Sequence, residues 1–257
     1  MRILLTNDDG IHSPGLLLLA DALRKAGHRV FVFAPAADKS GVSHAITFFN
    51  GPCKLVAVGE DTWSCEGTPV DCVIIALLGG IPALCLLDDA GNRKDIAPID
   101  CIISGINRGA NLGTDIVYSG TAAAARQGAL CGIPSLALSL LERDCVWRWD
   151  MAVAFVLEYL DQMLAYWKPH SFINVNMPNM QEKPAGLVHA FPSLRYYNDR
   201  IEVYQAPDGH QYCFANAGKI GAQPDQGSDC MVAENNHASI SEIYIHPLLL
   251  GSVRGEA

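Results

Sequence analysis

The chain opens with a short apolar run, a helix-forming segment and a second apolar run, and this alternation limits the possible folds most. Residues 3–6 are apolar and end in polar residues, as a buried strand does. Ser13 and Pro14 supply an N-cap and a first helical residue for a helix predicted to reach Lys25. Residues 28–34 form the next predicted strand. A strand–helix–strand unit of this length predicts a right-handed parallel crossover.

The same alternation continues through more than half of the chain. Further strands are predicted at residues 100–103, 134–140 and 172–176, and further helices at 120–131 and 150–167. Half of the residues are apolar and 18% are charged, which is enough apolar material for a large core. The sequence therefore predicts a doubly wound α/β core over residues 1–178 with a mostly parallel sheet.

The pattern changes after Pro178. Residues 186–216 consist of short alternating runs around Asp208-Gly209, which is a hairpin signal. A short element at 228–234 and a strand at 239–245 follow. We interpret residues 179–257 as a β-rich extension that packs on the core and on a neighbouring subunit.

An acidic pair directly follows the first predicted strand, in the segment Asn7-Asp8-Asp9-Gly10. Ligands of open parallel sheets bind beyond the carboxyl ends of the strands. Two adjacent carboxylates there repel each other unless a cation lies between them, and hard oxygen ligands suit Mg²⁺ or Mn²⁺. An ordinary polar turn has the same composition, so the segment alone is consistent with either interpretation.

Other polar residues follow later strands and are therefore expected at the same sheet edge. Ser40 offers a hydroxyl ligand, Gly41 permits close approach to an anion, and Asn107 offers an amide oxygen. Candidate hydrogen-bond partners for phosphate oxygens are Ser104, Gly105 and Asn111. A glycine-rich loop with turn-forming asparagines is the alternative interpretation.

A third candidate is the start of the alanine-rich helix at Ser119-Gly120-Thr121. Backbone N–H groups at a helix N-terminus bind anions, and the hydroxyls of Ser119 and Thr121 add donors. An ordinary N-cap has the same residues. The chain lacks the phosphate-loop motif GxxxxGK[ST].

Composition excludes several partners. The formal net charge is −9 and Lys and Arg are not clustered, so long nucleic acid is not an expected partner. Apolar stretches are interrupted by Asp, Gly or Pro, so no membrane span is predicted. The nine cysteines form no CxxC pair. Free thiols of this kind predict a reducing, cytoplasmic location.

Taken together, the segments resemble the SurE family, the survival-protein 5′-nucleotidases. The resemblance rests on ILLTNDDGIHSPG, the Ser40-Gly41 loop, EGTPVDCV, SGINRGANLGTDIVYSGTAAAARQGALCGIPSLALSL and INVNMP, in that order. It covers most of the chain. The combination of NDDG, SGIN and YSGT makes it specific.

The resemblance implies a Rossmann-like core with an extension exchanged between subunits of a homodimer or homotetramer. It implies one divalent metal ion (Mg or Mn) per subunit, on Asp8, Asp9, Ser40 and Asn107. The implied activity is hydrolysis of nucleoside 5′- and 3′-monophosphates, with short polyphosphate as the alternative main substrate.

Within that framework, Asp8, Asp9 and Asn111 are the predicted catalytic residues. The predicted substrate contacts are Asn7, Gly41, Ser104, Gly105, Ser119, Gly120 and Thr121. The residues leave the general base open. They also leave open two other classes: a receiver-like signalling module, which is a much shorter chain, and a nucleotide sensor without catalysis.

Two departures from the family pattern concern substrate preference and assembly. Residues 79–98, which include Asp88-Asp89-Ala90-Gly91-Asn92, look like an insertion before the SGIN strand. Near the end, His246 precedes Pro247-Leu248 where the family usually has threonine.

Overall fold

The alternating apolar runs form strands of one large sheet and the helices that cover it. The computed structural model describes residues 1–79, 85–87, 93–96, 98–184, 186–223 and 225–246. The segment 88–92 and the Pro247-Leu248 pair, on which the two predicted family departures partly rest, lie outside the described residues.

The elements are numbered along the chain. The strands are β1 (Arg2–Thr6), β2 (Arg29–Pro35), β3 (Leu55–Gly59), β4 (Thr62–Cys65), β5 (Cys85–Leu87), β6 (Arg93–Ile96), β7 (Cys101–Arg108), β8 (Ser135–Leu140), β9 (Ser171–Met177), β10 (Leu187–His189), β11 (Arg195–Tyr197), β12 (Arg200–Gln205), β13 (Gln211–Asn216), β14 (Ile220–Ala222) and β15 (Ala238–Tyr244). The α-helices are α1 (Pro14–Lys25), α2 (Pro69–Leu78), α3 (Gly120–Leu130), α4 (Trp149–Ala165) and α5 (Asp229–Glu234). Short 3₁₀ helices lie at Phe48–Asn50 and Gly113–Val117.

The main sheet has nine strands in the order β10-β15-β9-β8-β7-β1-β2-β4-β3. Neighbouring strands from β9 to β4 pair in parallel, whereas β15 pairs antiparallel with β9 and β3 pairs antiparallel with β4. The predicted doubly wound, mostly parallel α/β fold is confirmed. The sheet also takes in β10 and β15, which belong to the region after residue 178.

Side-chain alternation along β1 places a separate apolar cluster on each face of the sheet. Ile3 and Leu5 point to the face covered by α1 and α4, and Leu4 points to the face covered by α2 and α3. All three side chains are fully buried. The near-continuous apolar sequence of β1 is thus what a strand covered on both faces requires.

Helix α1 begins and ends where the sequence predicts. Pro14 is its first residue after the N-cap Ser13, and Gly27 follows its end at φ +87°. Strand β7 runs further than predicted, because the Ser104–Asn107 stretch continues it with an irregular register against β8. This irregularity delivers Asn107 and Arg108 to the carboxyl edge of the sheet.

The extension contains the predicted hairpin. Strands β12 and β13 pair antiparallel across the Asp208-Gly209 turn, and every residue of both strands is exposed. Strands β11 and β14 form a second short pair. Among the helices that the structure describes, none has the length and apolarity needed to cross a membrane.

Candidate active site

Asp8 lies two residues beyond the end of β1, beneath the start of α3. Its two carboxylate oxygens accept hydrogen bonds from Thr121, one from the backbone N–H at 3.0 Å and one from the hydroxyl at 2.5 Å. Its residue surface is only 3% exposed. The first N–H groups of a helix carry partial positive charge, so the helix start stabilises the ionised form of Asp8.

Gly120 permits this close approach. A Cβ atom at that position would lie 2.9 Å from both Cβ and Oδ2 of Asp8. The structure therefore gives Gly120, predicted as a substrate contact, a steric role in seating Asp8 against α3.

The pKa values of both carboxyl groups of the acidic pair are raised. Burial, with a smaller contribution from Asp9, raises the pKa of Asp8 to about 6, against the opposing hydrogen bonds from Thr121. Burial also raises the pKa of Asp9, and the nearby Asp38 adds to this, while the backbone N–H of Arg108, 2.9 Å from Asp9 Oδ2, opposes it. Burial without a cation thus disfavours the doubly ionised pair.

The loop after β2 brings Ser40 to the acidic pair. Asp38 Oδ1 accepts from the backbone N–H and the hydroxyl of Ser40, both at 2.7 Å, and these bonds lower the pKa of Asp38. The N–H of Lys39 donates to the backbone oxygen of Asp8 at 2.7 Å. Because Ser40 Oγ donates its proton to Asp38, its lone pairs stay available to a ligand.

Asn107 and Arg108 approach from the end of β7. The Asn107 amide nitrogen donates to the backbone oxygen of Gly109 at 2.9 Å, which fixes the amide plane. The Arg108 guanidinium lies over the Trp147 ring, 5.7 Å from its centroid. The Arg108 charge opposes the rise in the pKa of Asp9 and contributes to the lowered pKa of Asp38.

Two adjoining clefts meet at these residues. The main cleft, of about 570 Å³, is bordered by the predicted residues Asp8, Ser40, Gly41, Asn107, Asn111 and Ser119. The side cleft, of about 510 Å³, is bordered by Asp9, His12, Asp38 and Trp149. Ser40 and Arg108 border both clefts. Of the four predicted metal ligands, Ser40 thus lies at the junction between the clefts, while Asp8 and Asn107 border the main cleft and Asp9 borders the side cleft.

Asn111 is held by its backbone and its side chain. Its N–H donates to Asn176 Oδ1 at 2.8 Å, its backbone oxygen accepts from Asn174 and Asn176, and its amide nitrogen donates to Ser139. An amide nitrogen has two hydrogens, so one donor remains for a ligand in the cleft.

Besides Gly120, which packs against Asp8 and borders neither cleft, four predicted contacts lie behind the cleft surface. Asn7 is fully buried and donates to the backbone oxygen of Gly10 and to Ser13 Oγ, which orders the turn before α1. Thr121 uses both its donors on Asp8. Ser104 is fully buried, and a Cβ on Gly105 would lie 2.4 Å from the backbone oxygen of Leu138. None of the four is among the residues that border either cleft in the described structure.

Several cleft residues were given no role from the sequence. Arg108 directly follows the SGIN segment, and a positive charge so close to predicted acidic ligands could have indicated a phosphate contact. Tyr197 and Asp199 come from the extension, and Asp115 from a 3₁₀ helix, yet all three border the main cleft. No local pattern links residues so far apart in the chain.

The donor set fits a hard divalent cation. Among the described residues, the Arg108 charge acts on Asp9 and Asp38, whereas the charge that acts on Asp8 is that of Asp9, so carboxylates predominate at the junction. The remaining predicted ligands, Ser40 and Asn107, are neutral oxygen donors of the kind that Mg²⁺ and Mn²⁺ accept. Within the described ranges, no cluster of three or more His, Cys, Asp or Glu side chains is arranged to hold a metal ion. A metal site here therefore needs the neutral oxygens as well as the acidic pair.

Comparison with known proteins gives one consistent match. The family model described as "Survival protein SurE" matches residues 3–198. A 5′-nucleotidase SurE from Erythrobacter litoralis is 36% identical over 268 residues, covering 100% of this chain and 99% of that protein. One from Cyanothece sp. is 37% identical over 240 residues, covering 89% of this chain and 83% of that protein.

The fold has a match among solved structures as well. The SurE protein from Aquifex aeolicus superposes with a TM-score of 0.78 at 31% identity, covering 99% of this chain and 97% of that chain.

Proposed function

The chain belongs to the survival protein SurE family, and from this premise we propose that it is a 5′-nucleotidase. The reaction is hydrolysis of nucleoside 5′-monophosphates, and of 3′-monophosphates, to nucleoside and inorganic phosphate. The observation that carries the proposal is the pair of buried Asp8 and half-buried Asp9, which border two adjoining clefts, in a chain similar over its full length to a protein named 5′-nucleotidase.

The proposed cofactor is one Mg²⁺ or Mn²⁺ ion held by Asp8, Asp9, Ser40 and Asn107. When bound, such an ion withdraws charge from a phosphoryl group and lowers the pKa of a coordinated water. The raised pKa values of Asp8 and Asp9 support this assignment, because burial disfavours their ionised forms more than Thr121 and Arg108 stabilise them.

The residues around the junction position the phosphoryl group. Arg108 supplies a positive charge to both clefts, and Gly41 lets the backbone approach the phosphate closely. Asn111 and Ser119 offer side-chain donors from the wall of the main cleft. Donors fixed before the substrate arrives need no reorganisation as charge develops on the equatorial oxygens.

Thr121 acts through Asp8 instead of touching the substrate. Its N–H and hydroxyl fix the orientation of both Asp8 oxygens. Asn7 fixes the turn that carries the acidic pair. Both are proposed here as positioning residues.

We further propose that the chain works as a homodimer or homotetramer in the cytoplasm. The exposed hairpin β12–β13 supports the first point, since an isolated two-stranded hairpin is marginally stable in water. The free thiols of the described cysteines support the second. Detection of the protein in a cytosolic fraction tests the location.

The test of the activity is release of inorganic phosphate from a panel of nucleoside monophosphates with Mn²⁺, with Mg²⁺ and with chelator. Release that depends on the metal is expected. A folded sample that releases no phosphate with either metal would contradict the proposal. Tripolyphosphate in the same panel tests the exopolyphosphatase alternative, which no feature of the described site favours.

A further inference from the structure

The main cleft has an aromatic border beside its polar floor. Tyr118, Tyr197 and Ile220, here called the aromatic wall, line the same cleft as Asp8 and Ser40. The two tyrosine rings meet edge to face, with their centroids 5.9 Å apart and their planes at 85°. Tyr118 directly precedes Ser119 at the start of α3, so the wall adjoins the proposed phosphate site.

Tyr197 is held rigidly in this position. Its hydroxyl donates to Asp115 Oδ1, while the other Asp115 oxygen accepts from Arg195 and from the backbone N–H of Leu112. Ile220 pairs with Tyr197 across β11 and β14. A hydroxyl already satisfied by Asp115 leaves the ring itself as the surface that faces the cleft.

Tyr118 is tied to the loop that carries Ser40. Its backbone oxygen accepts from the N–H of Ser43 at 3.0 Å, and the Ser43 hydroxyl donates to the backbone oxygen of Val117 at 2.7 Å. Even so, 55% of the Tyr118 surface is exposed. An exposed, backbone-anchored ring at the mouth of a polar cleft suits a flat, partly apolar ligand group.

We propose that the aromatic wall binds the nucleoside of the substrate, with the base against the rings of Tyr118 and Tyr197. The proposal rests on the phosphatase activity proposed above. It adds a binding site for the base, which is the part that distinguishes a nucleotide from other phosphate esters. Aromatic rings hold bases by stacking with little preference among them, because every base has a π-face. The wall therefore selects for a nucleoside and is tolerant of base identity.

The charges beside the wall oppose a second phosphate. Asp199, two residues after Tyr197, also borders the main cleft, and its Oδ1 accepts from the N–H of Gly218 at 2.9 Å. Asp115 borders the cleft as well, but Arg195 is paired with it. Asp199 has no ion-pair partner among the residues that the structure describes, and a carboxylate at this border repels polyanions. The wall end of the cleft thus favours a monophosphate over a diphosphate or polyphosphate.

The test compares AMP with ribose 5-phosphate, which has the sugar and phosphate but no base. The Tyr118→Ala variant should lower kcat/KM for AMP by about tenfold and leave ribose 5-phosphate nearly unchanged. Tyr197→Leu should act in the same direction, with its fold checked by circular dichroism. Equal losses on both substrates, or no loss on AMP, would overturn the proposal.

Tyr196→Ala is the matched control. Tyr196 precedes Tyr197 on β11, packs near Gly221 and does not border the main cleft. Its replacement should leave both kcat/KM values unchanged, and a selective loss on AMP in this variant would also count against the wall.

Binding of adenosine, followed by calorimetry, separates the wall from the catalytic activity. Adenosine that binds the wild type about tenfold more tightly than Tyr118→Ala supports the wall even if no phosphate is released. In that case only the proposed phosphatase activity is wrong. Adenosine that does not bind the wild type overturns the wall.

The charge argument is tested with Asp199→Asn. The ratio of tripolyphosphate to AMP turnover should rise by a few-fold at low salt, because the carboxylate is exposed and screened. An unchanged ratio would reject the role of Asp199.

Discussion

At the scale of single residues, the site depends on a carboxylate that the fold buries at a cost. Asp8 is almost fully buried, and its hydrogen bonds to Thr121 only partly offset the loss of water. The cation proposed for this site would offset the rest of this cost. Asp8 therefore lowers the stability of the metal-free protein but is needed for the proposed function. Active-site residues often lower stability in this way.

The first prediction concerns pH and stability in the presence of a chelator. The folded-state pKa of Asp8, about 6, is above its ordinary value of 3.8, so the folded protein holds this proton more tightly than the unfolded chain. The stability associated with that proton is present below pH 4 and is lost as pH rises through 6. The free energy of unfolding should fall by up to about 3 kcal/mol over this window.

Denaturant unfolding of the wild type and Asp8→Asn at several pH values measures this effect. The difference between the two proteins isolates Asp8, because their other carboxylates are the same. The variant should be the more stable one at pH 7.5 with chelator. Parallel curves for the two proteins would be inconsistent with a raised pKa of Asp8.

The second prediction is that Asp9→Asn keeps the fold and loses turnover. Asp9 contributes charge at the junction of the clefts, and an amide cannot replace it there. Phosphate release should fall by about a hundredfold or more. Asp161→Asn, on the exposed surface of α4, is the control. Full activity in Asp9→Asn would mean that the site is wrongly assigned.

The third prediction tests Thr121 as a positioning residue. Thr121→Ala removes the hydroxyl bond to Asp8 and should raise the metal concentration needed for half-maximal activity by about tenfold to a hundredfold. Thr121→Ser keeps the hydroxyl and should restore most of the affinity. A serine variant as impaired as the alanine variant would indicate a packing role instead.

At the scale of elements, the start of α3 is the part on which the site is built. It contributes the N-cap Ser119, the glycine that Asp8 packs against and the donors of Thr121. The capping prediction was right as a local statement. The local pattern does not show that Thr121 binds Asp8, because Asp8 lies more than a hundred residues earlier in the chain.

The fourth prediction concerns Gly120→Ala. The added methyl group would lie 2.9 Å from Asp8 and displace it, which should lower activity by about a hundredfold, as small misplacements do. Gly59→Ala is the control, because its methyl group meets Thr62 Cβ at an ordinary 3.6 Å. Wild-type activity in Gly120→Ala would show that the close approach to Asp8 is not needed.

The elements predicted correctly are those with strong local signals. The apolar run of β1 and the Ser13-Pro14 start of α1 can be recognised from neighbouring residues alone, without knowledge of tertiary contacts. Strand β3 was not predicted because it lies at the sheet edge and is exposed throughout, so burial leaves no periodicity to detect. Strand β4 lies between β2 and β3 and has only four residues, too few for a clear alternation.

The site was predictable to the same extent. The residues at the carboxyl ends of β1, β2 and β7 were predicted to share one sheet edge, because ligands of parallel sheets bind beyond the carboxyl ends of the strands, and these residues border the two clefts. Tyr197 was not, because its place in the cleft depends on the path of the extension. Thr121 was predicted to contact the substrate, whereas in the structure its backbone N–H and hydroxyl donate to Asp8.

At the scale of the whole molecule, the hairpin β12–β13 protrudes with apolar side chains on both faces. Ile201 and Val203 share one face, and Tyr204, Tyr212 and Phe214 the other. Both sets are about half exposed or more. Surfaces of this kind mark contacts with other proteins.

The fifth prediction is that replacing Ile201 and Val203 with lysine lowers the molecular mass in solution. Light scattering after size-exclusion chromatography should give a dimer or tetramer for the wild type and a smaller species for the double variant. Asp161→Lys on exposed α4 is the control. A wild type that elutes as a monomer would be incompatible with the proposed assembly.

The position of β15 in the sheet has a consequence for synthesis on the ribosome. Strand β9 is complete once residue 177 has been made, but the strand that pairs with its outer side is residues 238–244. Until then, a strand whose residues are all buried in the finished fold presents an unpaired edge, the feature that promotes aggregation of nascent chains. Slow translation between these two points would lengthen that exposure, so the yield of folded protein should depend on the speed at which the extension is synthesised.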